Sequence, residues 1–147
     1  MGKLVVLVLL LAAAVALYYL QLAPSSPVVT LDAPGGKLSC QVASTEQARE
    51  AGLSNRTFLC PNCCLLFEFE EPGRPGFWMK DMKFALDIVF LDANYSVVDL
   101  WQNAVPCTPQ ECQLRYPRAD SKYVVEVNAG RAAELGLEKG ARAVIAG

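Results

Sequence analysis

Six cysteines and no histidine set the chemistry open to this 147-residue chain. Without an imidazole there is no Ser-His-Asp or Cys-His nucleophile pair and no His-ligated zinc or haem. Acid–base work would fall to Asp, Glu, Lys, Tyr or Cys. Cys60-Pro61-Asn62-Cys63-Cys64 forms a turn in which Cys60 can close onto either neighbour, and Cys107 and Cys112 bracket Thr108-Pro109-Gln110-Glu111. Cys40 shares a strand face with Leu38 and Val42 and points inward, where it pairs with the remaining thiol or stays free. An even number of cysteines in an exported domain favours disulfides, but spacing alone leaves their connectivity open. The rival is a four-thiolate zinc site from Cys60, Cys63, Cys107 and Cys112. A thioredoxin-like role would need the Cys-x-x-Cys to open a helix, and here it runs into a strand.

A second constellation is Phe77-Trp78-Met79-Lys80, two aromatics, a thioether and a cation beside a glycine-rich turn. In a strand, Phe77 and Met79 point to the core while Trp78 and Lys80 share the other face. Trp78 is then a ligand platform with Lys80 as its polar partner. Asp87 lies in an apolar strand on the face of Val89 and Leu91. If that face is covered, its carboxylate needs a cation such as Lys80, Lys83 or Arg56, or amide donors. Trp78, Lys80 and Asp87 are the candidate ligand residues. Met79 and Met82 are read as packing rather than soft-metal ligands, Asn128 as a helix cap, and Glu68, Glu70 and Glu71 as a solvated strand edge. No cofactor is expected.

The elements that must position these residues are short. Strands are expected over 28–32 and 37–43, around the turn Pro34-Gly35-Gly36. Ser44 and Gln47 suggest a capping box that opens a helix over 45–51, stopped by Gly52. Residues 64–70 alternate, 77–80 are extended, and 86–91 with 96–102 form the clearest hairpin. A long loop over 103–121 precedes a strand at 122–128, a helix over 129–135 and a closing strand at 141–146. The fold class expected is mainly β, a small β-barrel or sandwich-like domain with two short helices.

Ahead of this domain, residues 4–20 are an unbroken apolar run preceded by Lys3. As a helix the run spans about 25 Å, slightly less than a typical hydrocarbon core. The next base after Lys3 is Lys37, which leaves the N-terminus cytoplasmic and the domain outside. The boundaries are a transmembrane signal anchor over 1–22, a linker over 23–27 and a domain over 28–147. A cleaved signal peptide is the alternative and would make the domain secreted. Of 13 Lys and Arg and 15 Asp and Glu, only Lys3 precedes the linker, so the rest carries 12 bases against 15 acids. That balance argues against a nucleic-acid partner, because phosphate binding needs a cationic face.

From Gly52 onward the chain resembles domain-of-unknown-function family 192. The resemblance rests on Gly52-Leu53 with Arg56, on Leu65-Leu66-Phe67-Glu68-Phe69 with Glu71-Pro72-Gly73, and on Phe77-Trp78-Met79-Lys80. It continues through 86–92, Pro106-Cys107, 123–130, Leu135-Gly136-Leu137 and Gly140. Departures from the family pattern fall at Asn55, at Met82-Lys83-Phe84-Ala85 and at Ala141. The resemblance implies a compact, mainly β domain, often exported, and brings no activity with it. The reading that follows is a membrane-tethered extracytoplasmic binding or accessory domain whose partner, besides the membrane, is a small molecule or a protein. The alternatives are a hydrolase or transferase using Asp87 and Lys80, or a metal-binding module using the cysteines.

Overall fold

A computed structural model describes residues 2–21 and 26–146. In chain order the elements are α1 (Gly2–Gln21), β1 (Val28–Ala33), β2 (Gly36–Ala43), α2 (Glu46–Ala51), β3 (Cys63–Gly73), β4 (Leu86–Leu91), β5 (Val97–Ala104), β6 (Ser121–Asn128), α3 (Arg131–Glu134) and β7 (Val144–Ala146). At α1 the described side chains are those of 5, 6 and 8–15; over described residues, no helix is long and apolar enough to cross a membrane. Most of the expected linker, 23–25, lies outside the described residues. Its end is tied down, because the Val42 amide donates to the Pro27 carbonyl at 2.9 Å.

The β1–β2 hairpin turns at Pro34-Gly35, as the sequence suggests. Gly35 is required there by a close approach: a Cβ would collide with the Glu134 carbonyl, and the Gly35 amide donates to Leu135 O at 2.9 Å. Strand β2 runs parallel to β3, with Ser39 opposite Cys63 and Ala43 opposite Phe67. Parallel neighbours need a crossover, and α2 supplies it. Thr45, not Ser44, caps α2, its Oγ1 accepting from the Ala48 amide at 3.2 Å. Gly52 ends the helix at φ +50.

The seven strands form one sheet in the order β5-β4-β6-β3-β2-β1-β7. This corrects the expected barrel or sandwich, since the sheet is not closed. Its two edges approach only at one end, where residues 140–143 bond to Tyr95 and Val97 ahead of and at the start of β5. Strand number and length are local properties; the parallel β2–β3 step and the open edge are set by tertiary pairing.

Both faces of the sheet are covered. On one face Leu66, Val89, Leu91, Val125 and Val127 pack with Leu31, Leu38, Leu135 and Leu137. On the other, Leu65, Phe67, Ile88, Phe90 and Val124 pack with Leu53, Phe77 and Met79. All six residues of β4 are buried, which explains its nearly continuous apolar sequence.

The cysteines pair as Cys40–Cys64, Cys60–Cys63 and Cys107–Cys112, with Cα separations of 4.4, 5.1 and 5.2 Å. Cys40 and Cys64 are direct partners across β2 and β3, and their bridge encloses α2. By restricting the unfolded chain it contributes roughly 3 kcal/mol. No described cysteine is free and no described cluster of His, Cys, Asp or Glu could hold a metal ion. The four-thiolate alternative is thereby overturned, since its sulfurs are bonded to one another.

Candidate functional site

Strand β6 lies mid-sheet between β4 and β3, where both faces are covered. Its alternation sends Tyr123, Val125 and Val127 to one face and Val124 and Glu126 to the other. Across the strands, Gln41, Leu65, Glu126, Ile88 and Trp101 form one register row on that second face. A carboxyl therefore stands between two buried aliphatic side chains. Glu126 is 6% exposed, and its Oε2 has no hydrogen-bond partner among the described residues. Burial raises its pKa from 4.5 to about 8, opposed by the nearby Arg56 guanidinium.

Glu126 lines a cleft of about 650 Å³. One wall is α2 with the Gly52-Leu53-Ser54 turn, another is Phe67 and Phe69 of β3, and the far side is Pro75–Trp78 with Met82 and Leu114. The Phe67 ring meets Phe77 edge-on at 5.0 Å, and Phe77 meets Phe90 at 5.6 Å. The far wall is held by a two-way backbone pair between Phe77 and Arg115, at 2.9 and 2.8 Å. Gly76 permits that approach, because a Cβ there would sit 2.8 Å from the Tyr116 ring. At the rim, the Arg49 guanidinium donates to Ser44 O and Glu68 O and lies 5.2 Å from the Phe69 ring centre.

The Phe77–Lys80 segment alternates as expected: Phe77 and Met79 are buried, and Trp78 is 48% exposed. Trp78 lines the cleft, and the Lys80 Nζ lies 5.2 Å from its ring centre, outside the cleft lining. Asp87 is elsewhere, on the opposite sheet face. Its Oδ1 accepts from the Asn103 amide at 2.8 Å and its Oδ2 from the Ala132 amide at 3.0 Å. Amide donors, not Lys80, Lys83 or Arg56, satisfy it, and it forms no ion pair among the described residues. Asn128 does not cap α3 either. Its Nδ2 donates to Leu59 O at 2.9 Å, pinning the loop before β3. Gly130 takes the cap position, and Asp87 Oδ2 serves one free amide in the first turn of α3, that of Ala132.

A family model described as "Uncharacterized ACR", domain-of-unknown-function family 192, matches residues 29–145. The chain belongs to this family. Two solved structures share its fold. One, described as a candidate transcription regulator from Sinorhizobium meliloti, is 30% identical, with a TM-score of 0.71, covering 80% of this chain and 92% of its own. The other, a protein of unknown function from Novosphingobium aromaticivorans, is 28% identical with a TM-score of 0.69, covering 80% and 83%. No curated protein matches.

The family 192 match begins at Val29, well before Gly52, so the β1–β2 hairpin is part of the domain. Three stretches that carry the family 192 resemblance meet at the cleft: Gly52-Leu53, Phe67 with Phe69, and Phe77-Trp78. Glu126 is the residue that sequence reasoning passed over. Its signal was present: a single charge inside Tyr123-Val124-Val125-Glu126-Val127, a run apolar enough to be buried on both faces.

A second cleft of about 560 Å³ lies along the same face, lined by Val28, Gln41, Arg56, Phe58, Cys60 and Cys63 among others. Arg56 there donates to Gln41 Oε1 at 2.8 Å. Its polar lining is exposed or already bonded, and among the described residues no orphaned buried group lines it.

Proposed function

We propose that this protein is a binding domain tethered outside a membrane, and that the Glu126 cleft takes a small organic ligand. The observation that carries the binding reading is the orphaned, buried oxygen of Glu126, a residue that lines an open cleft walled in part by Phe67, Phe69, Phe77 and Trp78. A buried polar atom costs free energy unless something satisfies it, and a residue that keeps one at the lining of a cleft is suited to a ligand that does. Trp78 at the rim supplies a flat apolar surface next to the polar floor. Catalysis by Asp87 with Lys80 has no support in the geometry, because Asp87 is engaged by two backbone amides on the other face. The name of the Sinorhizobium neighbour is not carried over, given 12 bases against 15 acids beyond Lys3.

Benzyl alcohol, a neutral aromatic probe, tests the site. Titrated into the full chain in lipid nanodiscs, it is expected to shift the amide resonances of Leu53, Phe67, Phe77 and Glu126. Trp78→Ala should weaken it about fivefold, the value of one lost aromatic contact. Shifts confined to the Phe58 cleft, or unchanged affinity in Trp78→Ala, would contradict the assignment.

The tether reading draws on the apolar run at 4–20, its lone flanking Lys3, and six paired cysteines, a state kept in oxidising compartments. Protease added to intact cells should remove the domain and leave α1 with the membrane. A domain protected inside cells, with its thiols reduced, overturns that reading.

A further inference from the structure

We propose that the ligand class of the cleft is a small organic ammonium ion with an aromatic or aliphatic body, whose charged nitrogen is received by Glu126. The proposal rests on the reading of the cleft as a ligand site and adds the sign of the ligand's charge. Four charged residues line the cleft: Glu46, Glu50 and Glu126 are acids, and Arg49 is the one base. Arg49 is already committed, its Nη1 bonded to two backbone carbonyls and its guanidinium stacked on Phe69. An anion entering the cleft would meet three carboxyl groups against the single guanidinium of Arg49, whose Nη1 is already spent on backbone carbonyls. A cation meets carboxylates at the rim and an unpartnered acceptor at the floor, 94% buried.

The walls agree with the charge. Phe67, Phe77 and Trp78 present aromatic rings, whose negative faces attract an ammonium group and whose area buries its apolar body. A hydrogen bond from N⁺–H to a buried carboxylate is charge-assisted and stronger than a neutral one. The nearest base outside the lining, Arg56, has its Nη2 on Gln41 and makes no ion pair with Glu126. The place of the cation is therefore not taken by the protein's own side chains among the described residues.

Proton exchange accompanies such binding. The groups facing Glu126 are Arg56 from the loop after α2, Glu46, Arg49 and Glu50 from α2, and the apolar Leu65 and Ile88 from β3 and β4. In this setting the free carboxyl keeps its proton at neutral pH, and an ammonium ligand must displace it.

Benzylammonium and benzyl alcohol have the same body and differ in charge, and phenylacetate supplies the opposite sign. At pH 8.5, with the full chain in nanodiscs, benzylammonium is expected to bind at least tenfold more tightly than benzyl alcohol, and phenylacetate more weakly than both. Glu126→Gln should remove the preference for benzylammonium, bringing its affinity within about twofold of that of benzyl alcohol for the same variant. Glu50→Gln, at the rim, should lower it only about twofold. At pH 6 the wild-type preference should shrink severalfold or more. Benzyl alcohol or phenylacetate binding as tightly as benzylammonium, or a preference that survives Glu126→Gln, overturns the ammonium assignment while the cleft remains a site. Failure of all three probes to reach the cleft overturns the site and the assignment together.

Discussion

Glu126→Gln should stabilise the domain at alkaline pH and leave it nearly unchanged below pH 4.5. In the folded chain the Glu126 carboxyl is raised to about 8 from an ordinary value of 4.5, chiefly because burial between Leu65 and Ile88 disfavours the charge. A carboxyl whose folded pKa lies above its unfolded one contributes stability that is fully present below the unfolded value. That stability is lost as pH rises through the folded value. Between pH 4.5 and 8 the unfolded chain has released a proton that the folded chain still holds, so each pH unit costs about tenfold in the folded-to-unfolded ratio. The total is on the order of 5 kcal/mol, complete by about pH 9. Gln carries no charge to desolvate and nearly matches the shape of the protonated side chain. Urea unfolding of both chains from pH 4 to 9 should show curves that coincide at the acid end and diverge in favour of Glu126→Gln above it. Parallel curves would mean that Glu126 ionises normally and is not the buried group described.

Asp87→Ala should have an effect of similar size and opposite meaning. Strand β5 carries one extra residue opposite β4 between Ala104 and Trp101, a bulge in which Asn103 adopts φ +48. Asp87, 1% exposed, bonds the Asn103 amide of that bulge with one oxygen and the Ala132 amide of α3 with the other. Alanine leaves both amides without their acceptor, that of Ala132 in the dry interior, at a cost of roughly 3 kcal/mol. In a domain of this size that lowers the melting temperature by on the order of 10 °C. Because Asp87 faces away from the cleft, benzyl alcohol should bind the folded variant within about twofold of wild type. A variant of normal stability that no longer binds would return Asp87 to the ligand site.

These two acids show what the sequence could and could not reveal. Asp87 was conspicuous because its neighbours are apolar, and the need for a cation or amide donors was readable from burial alone. Which of the two served it depended on a bulge sixteen residues away and a helix forty-five residues away, which no local pattern encodes. Glu126 offers the same local signal, a lone carboxyl in an apolar strand, but that signal does not say what faces it. Its importance comes from the β3–β6 pairing and from α2 and Phe77 closing over that face. The hairpin at Pro34-Gly35, the Gly52 stop and the inward Phe77 and Met79 were legible because turn chemistry and strand alternation are local. Strand order was not: the parallel β2–β3 step and the open β5 and β7 edges are properties of the assembled sheet. Asn128 failed as a cap for a similar reason, since its amide found the Leu59 carbonyl 69 residues back.

The Glu126 carboxyl, held neutral beneath the cleft, has a protonation that can be followed directly. Carbon-13 resonances of the side-chain carboxyls, with Glu126 assigned by its absence in Glu126→Gln, should be recorded from pH 3 to 10. A midpoint near 8 for Glu126 is expected from its burial. A midpoint near 4.5 would place the group in water or against a cation, and the cleft would lose the feature that makes it a site.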